Sequence, residues 1–140
     1  MPSDEDLFNE LAYYTLSHPE PGFIHQHVVD AQAAQQADER TKPMKVVFAL
    51  AGLYLFLEKD FSGRQVQLMH MRLAKRRKQW PRLPLPSGPR GEITVAAVMA
   101  AQPGPARDEI IRAWCRSVWE TWQESRPQIV SLLKQELDIR

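Results

Sequence analysis

Residues Val46 to Leu57 read VVFALAGLYLFL, twelve consecutive positions without a charge. A helix made from them has no polar side to turn toward water, so it must be enclosed all round. A membrane would enclose it, but a span needs about twenty such residues. The remaining enclosure is a jacket of other helices, which makes the chain an all-α bundle with this segment at its centre. Thr41 is the expected N-cap and Pro43 suits the first turn, giving predicted limits of 42 to 59.

The jacket is legible on both sides of that segment. Leu7, Leu11 and Tyr14, with Phe8, recur at helical spacing behind Ser3 and Asp6, which predicts a helix over 4 to 16. Pro19 and Pro21 end it and suit the first turn of a second helix that reaches about Gln36. After a turn at Phe61, Ser62 and Gly63, a fourth helix is predicted over 63 to 80, with Val66, Met69, Leu73 and Trp80 inward and Arg72, Lys75 and Gln79 outward. The stretch WPRLPLPSGPRG then carries four prolines and two glycines, so residues 81 to 91 form a Pro-rich connector with no regular element.

Thr94 caps a short helix through Val95, Val98 and Met99, and QPGP stops it. From Pro105 onward, Ile111, Trp114, Cys115, Val118 and Trp122 mark a strongly amphipathic helix. Ser125 and Pro127 either kink it or start another helix containing Ile129, Val130, Leu133 and Leu137. No run alternates with a strand period. The expectation is a single helical domain over residues 1–140 with five to seven helices, long enough to bury roughly two thirds of its unfolded surface.

At 100° per residue the second helix puts Phe23, Ile24, His27, Val28, Ala31 and Ala34 on one face, with Asp30 at its edge and His25 opposite. On the fourth helix His70 falls inward between Val66 and Ala74. His27, Asp30 and His70, with His25 as a fourth, are therefore the candidate metal ligands or acid/base groups; such a set with open positions suits zinc or iron. Against it stands a simpler role, since a half-buried His bonded to a carboxylate or carbonyl is satisfied and does no more. No HExxH or ExxH spacing supports a metal, so a structural network is the preferred reading. His18, just before Pro19, reads as a cap or loop residue.

From Arg72 to Arg90 there are seven lysines and arginines and no acidic residue. Arg72, Lys75, Arg76, Arg77, Lys78, Trp80 and Arg82 form the candidate nucleic-acid set, with cations for phosphates and an indole to stack on an unpaired base. A cationic helix end also suits the negative end of the macrodipole. A net charge of +1 argues against a wholesale polyanion binder, so the solvated helix end is preferred.

Trp114, Trp119 and Trp122 cannot all point one way on a helix, so at least one is expected at the edge of the buried stripe, where indoles serve interfaces. That is the basis for an expected homodimer, or contact with another protein, through this helix. Cys115 stands alone, which excludes an internal disulfide and a Cys-rich zinc site and leaves it a core filler.

The acidic start MPSDEDLFNE has neither the basic nor the apolar part of a signal peptide, and a cytoplasmic location is expected. Serine elbows, Walker loops and dinucleotide fingerprints are absent. The leading functional reading is a non-catalytic protein-interaction module. Metal or small-molecule binding through the His/Asp cluster is the alternative, nucleic-acid binding the third, and no membrane partner is expected.

The run SHPEPGFIHQHVVDAQAAQQAD, followed by the apolar helix ending LYLFLEK, is similar to an uncharacterised family of small bacterial helical proteins, a domain of unknown function. The likeness spans roughly residues 5 to 75. It rests on a Pro-led helix with a His-x-x-x-x-Asp-Ala core, here His25, Asp30 and Ala31, and on an apolar helix closing in Leu57 and Glu58. The resemblance implies a helical fold. Family members with an N-terminal cysteine pair suggest zinc, and this chain lacks that pair. The family pattern marks His25 where the helical wheel marks His27.

Overall fold

The computed structural model describes residues 3–17 and 22–139; His18, Pro19 and Pro21 lie outside them. Among the described residues there are seven α-helices, one short 3-10 turn and no strand. They are α1 (Asp4–Ser17), α2 (His25–Gln36), α3 (Pro43–Lys59), α4 (Gly63–Arg76), α5 (Val95–Ala100), α6 (Pro105–Thr121) and α7 (Arg126–Leu137), with the 3-10 turn at Gln123–Ser125. No described helix is long and apolar enough to cross a membrane.

The enclosure demanded by α3 is met by α2, α4, α6 and α7, while α1 and α5 close the flank over α2 and α6. Val47, Leu50, Ala51, Leu53 and Leu55 are wholly buried, and Leu11, Val28, Leu73, Ile111, Val118 and Leu133 come in from the surrounding helices to the same core. At about 25 cal/mol per Å² of apolar surface, this burial is the main force that holds the rods together.

Helix ends follow local chemistry more than the propensity of the residues inside. Ser3 and Asp6 exchange bonds as the sequence suggests, Asp6 N–H to Ser3 Oγ at 3.1 Å and Ser3 N–H to Asp6 Oδ2 at 3.2 Å. Ser62 and Gln65 make the same reciprocal pair at the start of α4. Thr41 does not cap α3. Lys42 holds that position, and Thr41 Oγ1 accepts from the Asp38 N–H at 3.0 Å within the preceding turn.

The fourth helix stops at Arg76, short of the expected residue 80. Arg77 is already extended, with φ −134° and ψ 147°, and Trp80 precedes Pro81, a position whose α conformation is sterically disfavoured. Trp80 therefore stands off the helix, edge-on to Phe48 at 5.2 Å between ring centres. At the other end, α6 gives way to the 3-10 turn, and Pro127 sits in the first turn of a new helix, so Ser125 and Pro127 start α7 instead of kinking α6.

The three indoles of the α6 region are all buried: Trp114 0%, Trp119 3% and Trp122 1% exposed. The expectation of one at a surface edge is corrected. Trp122 lies past the end of α6, with φ −103°, where the helical wheel no longer applies, and Trp119 is covered by the α3 end and the start of α7. Each indole N–H has an acceptor, Gln35 Oε1 at 3.0 Å for Trp114, Glu58 Oε2 at 2.8 Å for Trp119 and the Ala34 carbonyl at 3.2 Å for Trp122. Glu58 also takes the Arg126 guanidinium at 2.6 Å, and that bond, ahead of the opposing effect of burial, holds its carboxyl below the usual range. It thereby ties α3 to α6 and α7.

The Pro-rich connector has no regular structure but is pinned to the end of α2. The Arg90 guanidinium donates to the carbonyls of Ala37 at 2.9 Å and Ala34 at 3.2 Å, and it lies 5.2 Å over the Trp122 ring. Gln35 Nε2 returns the contact, donating to the carbonyls of Ile93 at 2.8 Å and Arg90 at 3.2 Å. The carbonyls that a helix leaves unpaired at its C-terminus are thus satisfied from a distant segment. Arg90→Ala is expected to destabilise the fold by roughly 2 kcal/mol, and Arg90→Lys to recover little of it, since an ammonium lacks the planar fork. Denaturant midpoints of the three proteins check this; equal midpoints for wild type and Arg90→Ala would contradict it.

Candidate functional site

α2 lies against α3 closely enough that a side chain at position 52 would collide with the Asp30 carboxyl. Asp30 is 3% exposed, and Gln26 Nε2 donates to its Oδ1 at 3.2 Å, while Oδ2 is buried without a hydrogen-bond partner. Burial raises its carboxyl well above the usual range, with the Gln26 bond opposing. Burial therefore favours the protonated form of Asp30 in the seam. Cys115, wholly buried beside it, donates to the His27 carbonyl at 3.6 Å, and burial followed by the Asp30 carboxyl pushes its thiol up. A thiol so placed is inert packing.

His27 lies one turn before Asp30 along the same seam. Its ring stacks on Phe56, 3.6 Å between centres at 11°, and its Nδ1 is buried without a partner. Burial, and then the positive charge of Arg112, lower its pKa from 6.5 to about 4, so the imidazole is neutral at neutral pH. The Arg112 guanidinium sits 4.8 Å from the centre of the same Phe56 ring.

These groups border a cavity of about 500 Å³. One wall is the turn from α3 into α4. Asp60 takes the left-handed conformation there, φ 57°, and Phe61 donates its N–H to the Leu55 carbonyl at 3.0 Å, which closes α3 and turns Asp60, Phe61 and Ser62 to the cavity. Asp108 and Glu109, with Arg112 one turn further along α6, form another wall, and Gly22, Ile24 and Gln65 complete the lining with the buried His27 and Phe56. The result is an apolar surface of Ile24, Phe56 and Phe61 bordered by carboxylates and one guanidinium. Ser62 Oγ is engaged by the Gln65 N–H at 3.1 Å.

The four candidate metal ligands are not brought together. His25 Nδ1 pairs with Thr15 Oγ1 at 2.8 Å on the α1 side. His70 Nε2 is 2.7 Å from the Phe48 carbonyl, and its ring stacks on Phe48 at 5.0 Å. Phe48 and Phe56 are two turns apart on α3, about 12 Å along its axis, so the ring held at one cannot meet the ring held at the other. Among the described residues no group of three His, Cys, Asp or Glu side chains is placed to hold a metal ion. Of the two histidines in dispute on α2, His27 is the buried one.

The cationic set is divided as well. Lys75, Arg76 and Lys78 are exposed, and so is Arg72, which lies near the Met69 sulfur at 3.7 Å. Arg77 pairs with Glu136 at 3.7 Å and lies 5.7 Å over the Trp80 ring, and Arg82 lines a shallow groove with Leu83 and Leu85. Sequence reasoning missed the α6 wall, because Asp108, Glu109 and Arg112 look like the ordinary polar side of an amphipathic helix until the fold sets them opposite His27.

The two seam groups make opposite contributions to the pH dependence of stability. Unfolded His27 takes up a proton near 6.5 but folded His27 only near 4, so stability from this residue is lost as pH falls through that window, by about 3 kcal/mol in all. Folded Asp30 keeps its proton to higher pH than the unfolded residue, so its contribution is lost as pH rises above 3.8. Denaturation midpoints measured from pH 4 to 8 should show His27→Gln flattening the rise between pH 4 and 6.5, and Asp30→Asn gaining on wild type as pH increases. Profiles parallel to wild type for both variants would show that neither group titrates as described.

No curated protein and no solved structure matches this chain. The profile of a family described as Family of unknown function (DUF5946) matches residues 4–123, which takes in all of α1 to α6, and the chain belongs to that family.

Proposed function

We propose that this member of the DUF5946 family binds a small zwitterion with an apolar body, of the amino-acid class, in the cavity between the α3–α4 turn and α6. The observation that carries the reading is the composition of that cavity: a neutral imidazole stacked on Phe56 at its base, an apolar wall, and charges of both signs at its border. Its volume of about 500 Å³ lies within the range of small-molecule sites. Arg112 suits a carboxylate through its planar fork, and Asp60 and Glu109 suit an ammonium. A ligand bearing one charge alone would leave part of the lining unanswered.

Binding is favoured over catalysis on the chemistry of the lining. An imidazole that ionises near pH 4 is a feeble base at neutral pH, Ser62 is occupied by its capping role, and Cys115 is sealed in the core. Contact with another protein through α6 loses its original support, because the indoles that suggested it are enclosed.

Thermal shift with phenylalanine and leucine, set beside phenethylamine and 3-phenylpropionate as half-molecules, tests the proposal. A ligand at a hundred times its Kd adds about 2.7 kcal/mol, several degrees in Tm, so the amino acids should raise Tm clearly and each half-molecule less. Arg112→Ala should remove the response to amino acids and to the carboxylate. If no compound moves Tm or the ring resonances of His27, the cavity is not a site for this class.

A further inference from the structure

Charge along the chain is segregated. Residues 1–39 contain eight Asp and Glu and no Lys or Arg, whereas residues 61–91 contain eight Lys and Arg and no Asp or Glu. The first block supplies α1, whose Asp4, Glu5, Asp6 and Glu10 are all exposed; the second supplies α4, whose Arg64, Arg72, Lys75 and Arg76 are all exposed. Each helix also exposes two large apolar side chains beside its charges: Tyr13 at 76% and Leu16 at 54% on α1, Leu68 at 50% and Met71 at 55% on α4.

The angular order makes the two faces complementary. At 100° per residue, Asn9, Tyr13 and Leu16 point away from the buried Leu11, with Asp6 and Glu10 along one flank. On α4, Arg64, Leu68, Met71 and Lys75 point away from the buried Val66 and Leu73, with Arg72 and Arg76 along one flank. Laid antiparallel, the helices bring Tyr13 level with Leu68, Glu10 with Arg72 and Asp6 with Arg76. Antiparallel packing also opposes the helix dipoles favourably.

We infer that the occupant of the α4 face is α1 of a second copy of this chain. α1 and α4 both pack on α2, so a two-fold axis lets each copy present its α1 to the other's α4, an isologous contact that closes on itself. The dimer uses the helices that flank α2, and α6 takes no part. An acidic segment of another protein and a nucleic acid are the competing occupants of the same cations.

Sedimentation velocity of the full chain at 0.05 and 0.5 M NaCl tests this. The chain is expected to dimerise at low salt and to dissociate about tenfold more readily at high salt, as screening weakens exposed pairs. Arg72→Glu and Glu10→Arg alone each place like charges together twice in the dimer and should weaken it about tenfold. The doubly substituted chain restores opposite charges and should return to within about twofold of wild type, with circular dichroism confirming that all three remain helical. A chain that is monomeric at low salt overturns the inference, as does a dimer indifferent to Arg72→Glu or one whose loss the double substitution fails to restore. Retention on duplex DNA by a monomeric chain, abolished by Arg72→Glu, would assign the cations to a polyanion instead.

Discussion

The contact of the Asp30 carboxyl with the bare Cα of Gly52 decides how α2 lies on α3. A helix that is apolar on every side buries nearly as well after a rotation or a slide, so apolar burial alone leaves its register poorly defined. Glycine in mid-helix costs about 1 kcal/mol against alanine, and here it opens the one place along α3 where a carboxyl from α2 fits. Moved by a residue, the carboxyl would meet the side chain of Ala51 or Leu53. The seam thus uses a buried polar group to choose among packings that the oily residues would accept alike.

The same economy of partners governs the rest of the interior. The last carbonyls of α2 face the Arg90 guanidinium and the Trp122 indole, and the Gln35 amide reaches both the connector and Trp114. A connector with four prolines has few N–H groups to offer and forms no ladder, yet it is fixed in place because it answers groups that α2 left open. At the C-terminus of α3, Glu58 joins the Trp119 indole to Arg126. Each buried indole closes a seam through its N–H as well as through its rings.

Periodicity made the helices legible because it is local. The twelve apolar residues of α3 announced a central rod, and the wheel of α2 identified His27 as inward, in agreement with its burial. What it could not supply was height along the axis. His70 was expected inward, within reach of His27, but the level at which α4 packs sets it at Phe48, two turns from the Phe56 that holds His27. The cavity was illegible for a related reason: its walls come from segments some fifty residues apart, and Arg112 acquires meaning only opposite Phe56. The tryptophans failed differently, since Trp122 lies beyond the last turn of α6 and follows no helical wheel.

Net charge was a poor guide to this molecule. A total of +1 suggests a surface without strong fields, but it is the difference between an acidic first quarter and a basic middle. Fields of that kind act within about 10 Å at ordinary ionic strength, so a partner meets α1 or α4 and never the sum. Inside the seam burial disfavours charge: it raises the Asp30 carboxyl and the Cys115 thiol and lowers the His27 ring to about 4. Charge is therefore expelled to the helices at the border. A ligand of the proposed kind, entering beside His27, would meet the exposed rim residues Asp60, Glu109 and Arg112 around an apolar, uncharged lining of Ile24, Phe56 and His27.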